Sequence, residues 1–407
     1  MSKKVLLLCQ HFYPEMVSTG MHMTELSEAL TEKGVDITVF CAPPVHDIEN
    51  WNQEVPRSTK YNGIHIRRAK TLGKHKSGLL YRLLFAFTYM IQTFFYTWRG
   101  RKKFDGILVG TNPPFLGIVT LIMKKVFGVK YSVIVYDVYP EYANNLGVIK
   151  HNSLISRIWF WITKSILSNS IANITIGRDM QKLIDKKTIN SDVTNVIIPN
   201  WSDESVIKPQ KNKINSFRKE LGLKNELIVL YSGTMNKSHN LEPLLDAAEL
   251  LKDESIIFVF VGEGSNKENL IKLSKDKSLN KVRFLPFQPK SKLPDVLGSC
   301  DISVVCLNKK WTGISVPSKT YGIMAAGRPV MAFLEENSEI GLTINENNCG
   351  LVFENPTPKE IAEYLLKYEK NRDLLNEMGE NSYEAFINNY TLDKSSEKYL
   401  NLIKEIF

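Results

Sequence analysis

Short runs of β-branched and aliphatic residues alternate with longer amphipathic stretches from one end of this chain to the other, and that alternation admits few folds. A strand that is apolar on both faces must be covered on both, the condition of a parallel sheet flanked by helices. In the first half the pattern predicts strands at Val5–Cys9, Asp36–Phe40, Ile64–Arg67, Gly106–Val109, Tyr131–Tyr136, Ile171–Ile176 and Thr194–Ile198. A second series follows at Leu227–Tyr231, Ile256–Val261, Val282–Leu285, Ile302–Val305, Pro329–Phe333 and Gly350–Phe353, and residues 358–407 read as helices only. Between the two series the pattern lapses into polar, proline-punctuated sequence. The expected organisation is therefore an N-terminal α/β domain over 1–199, a linker over 200–213, a second α/β domain over 214–389 and a last helix over 390–407. Doubly wound sheets bind ligands beyond the carboxyl ends of their strands, so functional residues are expected just after strands, facing a central cleft.

The net charge of +9 is not spread evenly. From Val55 to Phe104 there is no Asp or Glu, while twelve lysines and arginines lie between Arg57 and Lys103, which leaves the rest of the chain at −3. One basic patch suits an anionic surface or a phosphorylated substrate; nucleic acid is not expected, because no nucleic-acid module accompanies it. The five cysteines show neither CxxC spacing nor a histidine cluster, so they read as reduced core residues and no metal site is expected. No cleavage site follows the first apolar run, so no signal peptide is expected and the location is read as cytoplasmic.

Residues 79–98 hold a single charge over twenty positions. At 100° per residue, Leu83, Leu84, Phe87, Met90, Ile91, Phe94, Phe95 and Trp98 share one arc, and Arg82, Thr88, Gln92, Thr93, Thr97 and Arg99 fall opposite. Three readings stand: a domain helix packing its apolar arc on the sheet, an in-plane membrane helix flanked by RGRKK, or a span.

Several post-strand segments carry chemistry. The first turn, CQHFYPEMVSTG, offers Gly20 as a place where backbone amides approach an anion, or as a simple turn. VGEGS adds Gly262 and Gly264 after another strand. YDVYPEY places Asp137 and Glu141 beyond a fully apolar strand, where a carboxylate can orient or deprotonate a hydroxyl, or Asp137 can cap the next turn. The densest signal is WTGISVPSKTYGIMAAGRPV, in which Ser315, Ser318, Lys319 and Thr320 open a helix fitted to hold a diphosphate by dipole, donors and point charge. No DxD pair, HExxH, GxSxG or Walker A sequence occurs, so donor charge would fall to Lys319, Lys237 and helix amides.

Together YPE…G, VIIPNWSD, YSGTMNKSHNLEPLLDAAELL and VFVGEGS…VRFLPFQPKSKLPDVLGSCDISVV leading into SVPSKTYGIMAAGRPV resemble the family-4 retaining glycosyltransferases of the GT-B fold, over nearly the whole chain. The likeness is to the branch that builds O-antigen, capsule and exopolysaccharide. It implies two Rossmann-like domains, a nucleotide-sugar donor (a UDP-sugar) held by the second, a lipid-linked or glycan acceptor on the first, and no cofactor or metal. The basic patch and the amphipathic stretch 79–98 add the expectation of peripheral association with the anionic inner face of the plasma membrane. On this resemblance the donor would meet Gly20, Gly233, Thr234, Lys237, Gly262, Phe287 and the run Ser315, Val316, Pro317, Ser318, Lys319, Thr320. Asp137, Glu141 and Lys319 would be catalytic, and the last helix would cross back to the first domain. The chain departs from the family where a pair of glutamates is usual, since Ile314 and Gly322 stand there. An epimerase on the same fold, or a non-catalytic sugar-nucleotide binder, remain alternatives.

Overall fold

The computed structural model describes residues 2–15, 18–45, 55–72, 78–210 and 215–407. Lys74 and Lys76 of the basic stretch and residues 211–213 of the expected linker lie outside the described residues. Two compact units emerge: Met1–Pro199 with Gly313–Ser315 and Leu392–Phe407, and Asn200–Thr312 with Val316–Thr391.

The first unit runs β1 (Lys4–Cys9), α1 (Ser18–Glu32), β2 (Asp36–Cys41), β3 (Ser58–Tyr61), β4 (Ile64–Arg68), α2 (Leu79–Gly100), β5 (Gly106–Gly110), α3 (Gly117–Phe127), β6 (Tyr131–Val135), α4 (Glu141–Asn145), α5 (Leu154–Ser168), β7 (Ala172–Thr175), α6 (Arg178–Thr188) and β8 (Thr194–Ile197). Its strands form one sheet in the order β3-β4-β2-β1-β5-β6-β7-β8, parallel except for β3. β3 has no counterpart among the expected strands. It is an edge strand, STKY, pairing antiparallel with β4 from Ser58 opposite Arg67, and an edge strand needs no apolar run.

The second unit follows as α7 (Ser216–Glu220), β9 (Leu227–Ser232), α8 (Glu242–Leu250), β10 (Ile256–Val261), α9 (Lys267–Asp276), β11 (Val282–Leu285), α10 (Leu293–Ser299), β12 (Ile302–Cys306), α11 (Lys319–Ala325), β13 (Val330–Phe333), α12 (Glu339–Asn347), β14 (Gly350–Phe353), α13 (Pro358–Lys370) and α14 (Arg372–Asn389). All six strands are parallel, in the order β11-β10-β9-β12-β13-β14. Strands such as IIFVFV of β10 are buried at every residue because helices cover both faces. The final helix, α15 (Leu392–Ile406), belongs to the first unit, where it packs on α1 and Lys33 pairs with Asp393 at 2.6 Å.

α2 overturns the expectation that its apolar arc packs on the sheet. That arc faces outward: Leu83, Phe87, Ile91 and Phe95 are exposed, Phe87 by 63%. The buried side is Phe85, Tyr89, Thr93 and Thr97, the last two at 0% and 1% exposure. Threonine is small enough to bring the helix close to the sheet, and Thr93 satisfies its hydroxyl on the Tyr89 carbonyl at 2.8 Å. Tyr89 donates to the Cys9 carbonyl at 2.6 Å, Phe40 stacks on Tyr96 at 4.5 Å, and the Gln92 amide brackets both backbone groups of Lys70. Three or four such anchors fix the helix orientation, and the larger apolar arc is left in solvent. No described helix is long and apolar enough to cross a membrane.

Candidate functional site

In each sheet the strand order reverses at one point, β1/β5 in the first and β9/β12 in the second, and there the loops diverge and leave room for a ligand. At the second of these points the carboxyl ends of β9 and β12 present Tyr231 and Cys306, and the Lys319 ammonium lies 3.9 Å above the Tyr231 ring. That ammonium is buried and has no hydrogen-bond acceptor. Burial lowers the Lys319 pKa to about 8, against a weak opposing pull from Cys306. A shift of that size corresponds to roughly 3 kcal/mol of strain on the charged form, which an anion at the site would relieve.

The approach to Lys319 is built by glycine. Gly233 has φ of 144°, and a side chain on it would place its Cβ 2.9 Å from the Lys319 nitrogen. Gly262, with φ of 143°, has no room for a Cβ because the Gly233 carbonyl would lie 2.0 Å from it. The two post-strand loops thus lie edge to edge, tied by Gly233 N–H to the Val261 carbonyl at 2.9 Å and Met235 N–H to the Glu263 carbonyl at 2.8 Å. Phe287, 54% exposed, stands beside Gly262 as an open aromatic face.

His239 completes the group, and the candidate residues drawn from the sequence do not include it. Its Nδ1 is buried without a partner. Burial, then the Lys319 charge, lower its pKa to about 4, so the imidazole is neutral at pH 7 and is available as a donor or acceptor. Its signal in the sequence was weak, a lone histidine in a short 3-10 turn. Lys237, on the same turn, is exposed and adds no buried charge. Thr234 is also exposed, and its carbonyl accepts from the Tyr231 hydroxyl at 2.7 Å.

The run 315–320 is less uniform than expected. Helix α11 begins only at Lys319, Ser318 makes no side-chain cap, and Val316 and Pro317 are buried or half-buried. The Thr320 hydroxyl is fully buried and spent on the Pro317 carbonyl at 2.9 Å, so it is not a phosphate donor. Ser315 belongs with the first unit, where Gly313 N–H donates to Asp179 at 3.0 Å and the Ile314 carbonyl accepts from Val138 at 3.0 Å.

In the first unit Gly20 is not in an open loop. It lies in the first turn of α1, where a Cβ would meet the Glu15 carbonyl at 2.5 Å, so its missing side chain serves the chain's own packing. Asp137 follows β6 and lines a cavity of about 30 Å³, room for about one water, walled by Val135, Ile166, Leu167 and Ile184. The apolar wall raises the Asp137 pKa to about 7, by desolvation alone. α4 carries no side-chain cap, which removes the capping role for Asp137. Glu141 is committed elsewhere: its carboxylate holds the buried Lys187 ammonium at 2.6 Å, a structural ion pair.

A cavity of about 740 Å³ lies at the opposite end of the second sheet, before β12 and β13, where it is lined by Asp301, Arg328 and Glu380. It contains none of the post-strand residues, and size alone does not make it the site.

Residues 213–385 match the model described as glycosyl transferases group 1. The chain is 29% identical over 249 residues to WbjE of Pseudomonas aeruginosa, a protein named as a glycosyltransferase, covering 61% of this chain and 62% of that protein. It is 26% identical over 349 residues to WcaI of Escherichia coli strain K12, named as a colanic acid biosynthesis glycosyl transferase, covering 83% and 85% respectively. Among solved structures, HepE from Anabaena in complex with UDP-glucose superposes with a TM-score of 0.71 at 14% identity, covering 99% of each chain, and shares the GT-B fold.

Proposed function

We propose that this chain, whose residues 213–385 match the model of glycosyl transferases group 1, is a glycosyltransferase that moves a sugar from a UDP-sugar to a lipid-linked or glycan acceptor during assembly of a bacterial surface polysaccharide. The observation that carries the reading is the buried Lys319 ammonium with no counter-ion at the β9/β12 switch point. It is a preformed positive charge with a glycine-lined approach, and a diphosphate is the anion that fits it. HepE, which shares the fold, binds UDP-glucose. Phe287 supplies a face for the base.

In this reading the anomeric carbon–oxygen bond to the diphosphate breaks as the acceptor oxygen bonds to the same face, and configuration is retained. Lys319 and the neutral His239 stabilise the leaving diphosphate, while Asp137, with a pKa near 7, takes the acceptor proton. In this reading Lys319 supplies the positive charge that a divalent ion would otherwise bring to the phosphates, and transfer needs no metal. Thermal-shift titration with UDP-sugars tests the donor: a raised midpoint in wild type that is absent in Lys319→Met supports the site, and an equal shift in both refutes it. Full activity in EDTA is expected; loss restored by magnesium refutes the metal-free step.

The outward apolar arc of α2, flanked by Arg99, Arg101, Lys102 and Lys103, supports peripheral docking on an anionic membrane surface. Phe87→Ser with Ile91→Ser is expected to release the protein from phosphatidylglycerol-containing vesicles. Retention by that variant refutes docking through α2.

A further inference from the structure

We propose that the cavity of about 740 Å³ before β12 and β13 is a binding site for a neutral oligosaccharide, separate from the site around Lys319. Its walls lie wholly within the second unit. On one side is the turn from Gly327 to Pro329, between α11 and β13. On the other is a single face of α14, where Asn376, Glu380, Tyr383, Glu384 and Asn388 recur at helical spacing. The walls meet at Gly379, where a Cβ would lie 2.5 Å from the Gly327 carbonyl, so the missing side chain lets the helix close on the turn. The volume is in the range of pockets that hold small ligands, and the chemistry of the walls selects the ligand.

Arg328 sets the first requirement. Its residue is 7% exposed, its Nη2 donates to the Gly298 carbonyl, and its Nε has no acceptor among the described residues. A buried donor left unmade costs free energy that a ligand oxygen recovers. The α14 face sets the opposite requirement. Glu380 and Glu384 are exposed and, like Tyr383 and Asn388, make no side-chain hydrogen bond with a described residue, so their carboxylates call for donors. Asp301 also lines the cavity but is committed, accepting from Arg218 at 2.5 Å and from the Ile228 N–H at 2.9 Å.

Two free carboxylates against one guanidinium disfavour a phosphate or an acidic sugar. A metal ion is not served either, because among the described residues no three His, Cys, Asp or Glu gather to hold one. A hydroxyl is donor and acceptor at once, so the hydroxyls of a neutral sugar answer the Arg328 N–H and the glutamates together. Tyr383, half-buried between the two glutamates in sequence, offers its ring to the C–H face of a sugar and its hydroxyl to the edge. α11 carries Lys319 at its first residue and runs roughly 10 Å to Ala325, just before the turn that walls the cavity. An occupant here therefore does not compete with one at Lys319.

An array of neutral and acidic bacterial surface oligosaccharides, probed with the full chain and followed by titration calorimetry on the retained neutral glycan, tests the site. Wild type is expected to retain neutral glycans in preference to acidic ones. Tyr383→Ala and, separately, Glu380→Gln with Glu384→Gln are expected to weaken that binding at least tenfold with the thermal midpoint unchanged. Arg328→Lys, which keeps the charge and removes the Nε donor, is expected to weaken it likewise; should that buried variant misfold, the α14 variants decide alone. Lys319→Met is expected to bind the glycan as wild type does, which separates a failure here from a failure of the donor site. No neutral glycan retained by wild type, or undiminished binding by the α14 variants, overturns the proposal. Tighter binding of inorganic phosphate or calcium than of any neutral glycan overturns the ligand class, and loss of glycan binding in Lys319→Met overturns the separation of the two sites.

Discussion

The carboxyl ends of the two sheets hold opposite charges under the same strain. Lys319 in the second unit is a cation with no counter-ion, and Asp137 in the first is a carboxyl against an apolar wall. Burial moves their pKa values toward each other, Lys319 down to about 8 and Asp137 up to about 7. Two other buried charges in the molecule are paired: Arg218 with Asp301 at 2.5 Å, and Lys187 with Glu141 at 2.6 Å. The contrast teaches that the fold can balance a buried charge and does not do so at these two positions, which is the pattern of groups kept for a ligand and a proton.

The comparison breaks most readily at Lys319. Lys319→Met is expected to weaken UDP-sugar binding by about a thousandfold, since a charge-assisted phosphate contact in a buried setting is lost; titration calorimetry reads it, and a change below tenfold would sink the site. Asp137→Asn is expected to lower kcat by about a hundredfold with donor affinity unchanged, because only proton acceptance is removed. A parallel loss of donor affinity would make Asp137 a structural residue instead.

Stability offers a sharper form of the same contrast. The Asp137 carboxyl binds its proton more tightly folded than unfolded, so its contribution is fully present below about pH 4 and is lost as pH rises through about 7. Asp137→Asn is therefore expected to be more stable than wild type at pH 7.5 by roughly 2 kcal/mol, an advantage that fades toward pH 4. For Lys319 the sign is opposite: stability is present above its unfolded value near 10.5 and is lost as pH falls through about 8, so Lys319→Met gains over wild type below that pH. Denaturant melts at several pH values check both. In kcat/KM these groups predict a bell, falling below about pH 7 as Asp137 protonates and above about pH 8 as Lys319 loses its charge. The smallest effect is expected at Lys237→Ala, under about threefold on donor affinity, because an exposed ammonium is screened by solvent; a loss as large as that of Lys319→Met would erase the distinction between them.

Much of the site was legible in the sequence, and the reason is local. The glycines at 233 and 262 fall just after strands that periodicity alone marks, and Lys319 opens the helix α11 that precedes β13. Asp137 is found by the same rule. What was misread depended on packing and pairing that residue type and spacing do not announce. Glu141 looked like a second catalytic carboxylate until Lys187, on α6, claimed it. Gly20 looked like an open turn, yet its packing partner is the Glu15 carbonyl of its own loop. His239 gains its meaning only beside Lys319, eighty positions away in the chain and adjacent in space.

α2 shows where the division falls. By itself the sequence determined that residues 79–98 form an amphipathic helix, that strands and helices alternate through two series, and that one basic stretch lacks acids, because these are properties of residues a few positions apart. Only the tertiary structure decided which arc of that helix meets the sheet. Helical period fixes the angle between the arcs and is silent on their direction, and here close approach by Thr93 and Thr97, with the Tyr89 hydroxyl bonded to Cys9, outweighs the larger apolar surface left in solvent.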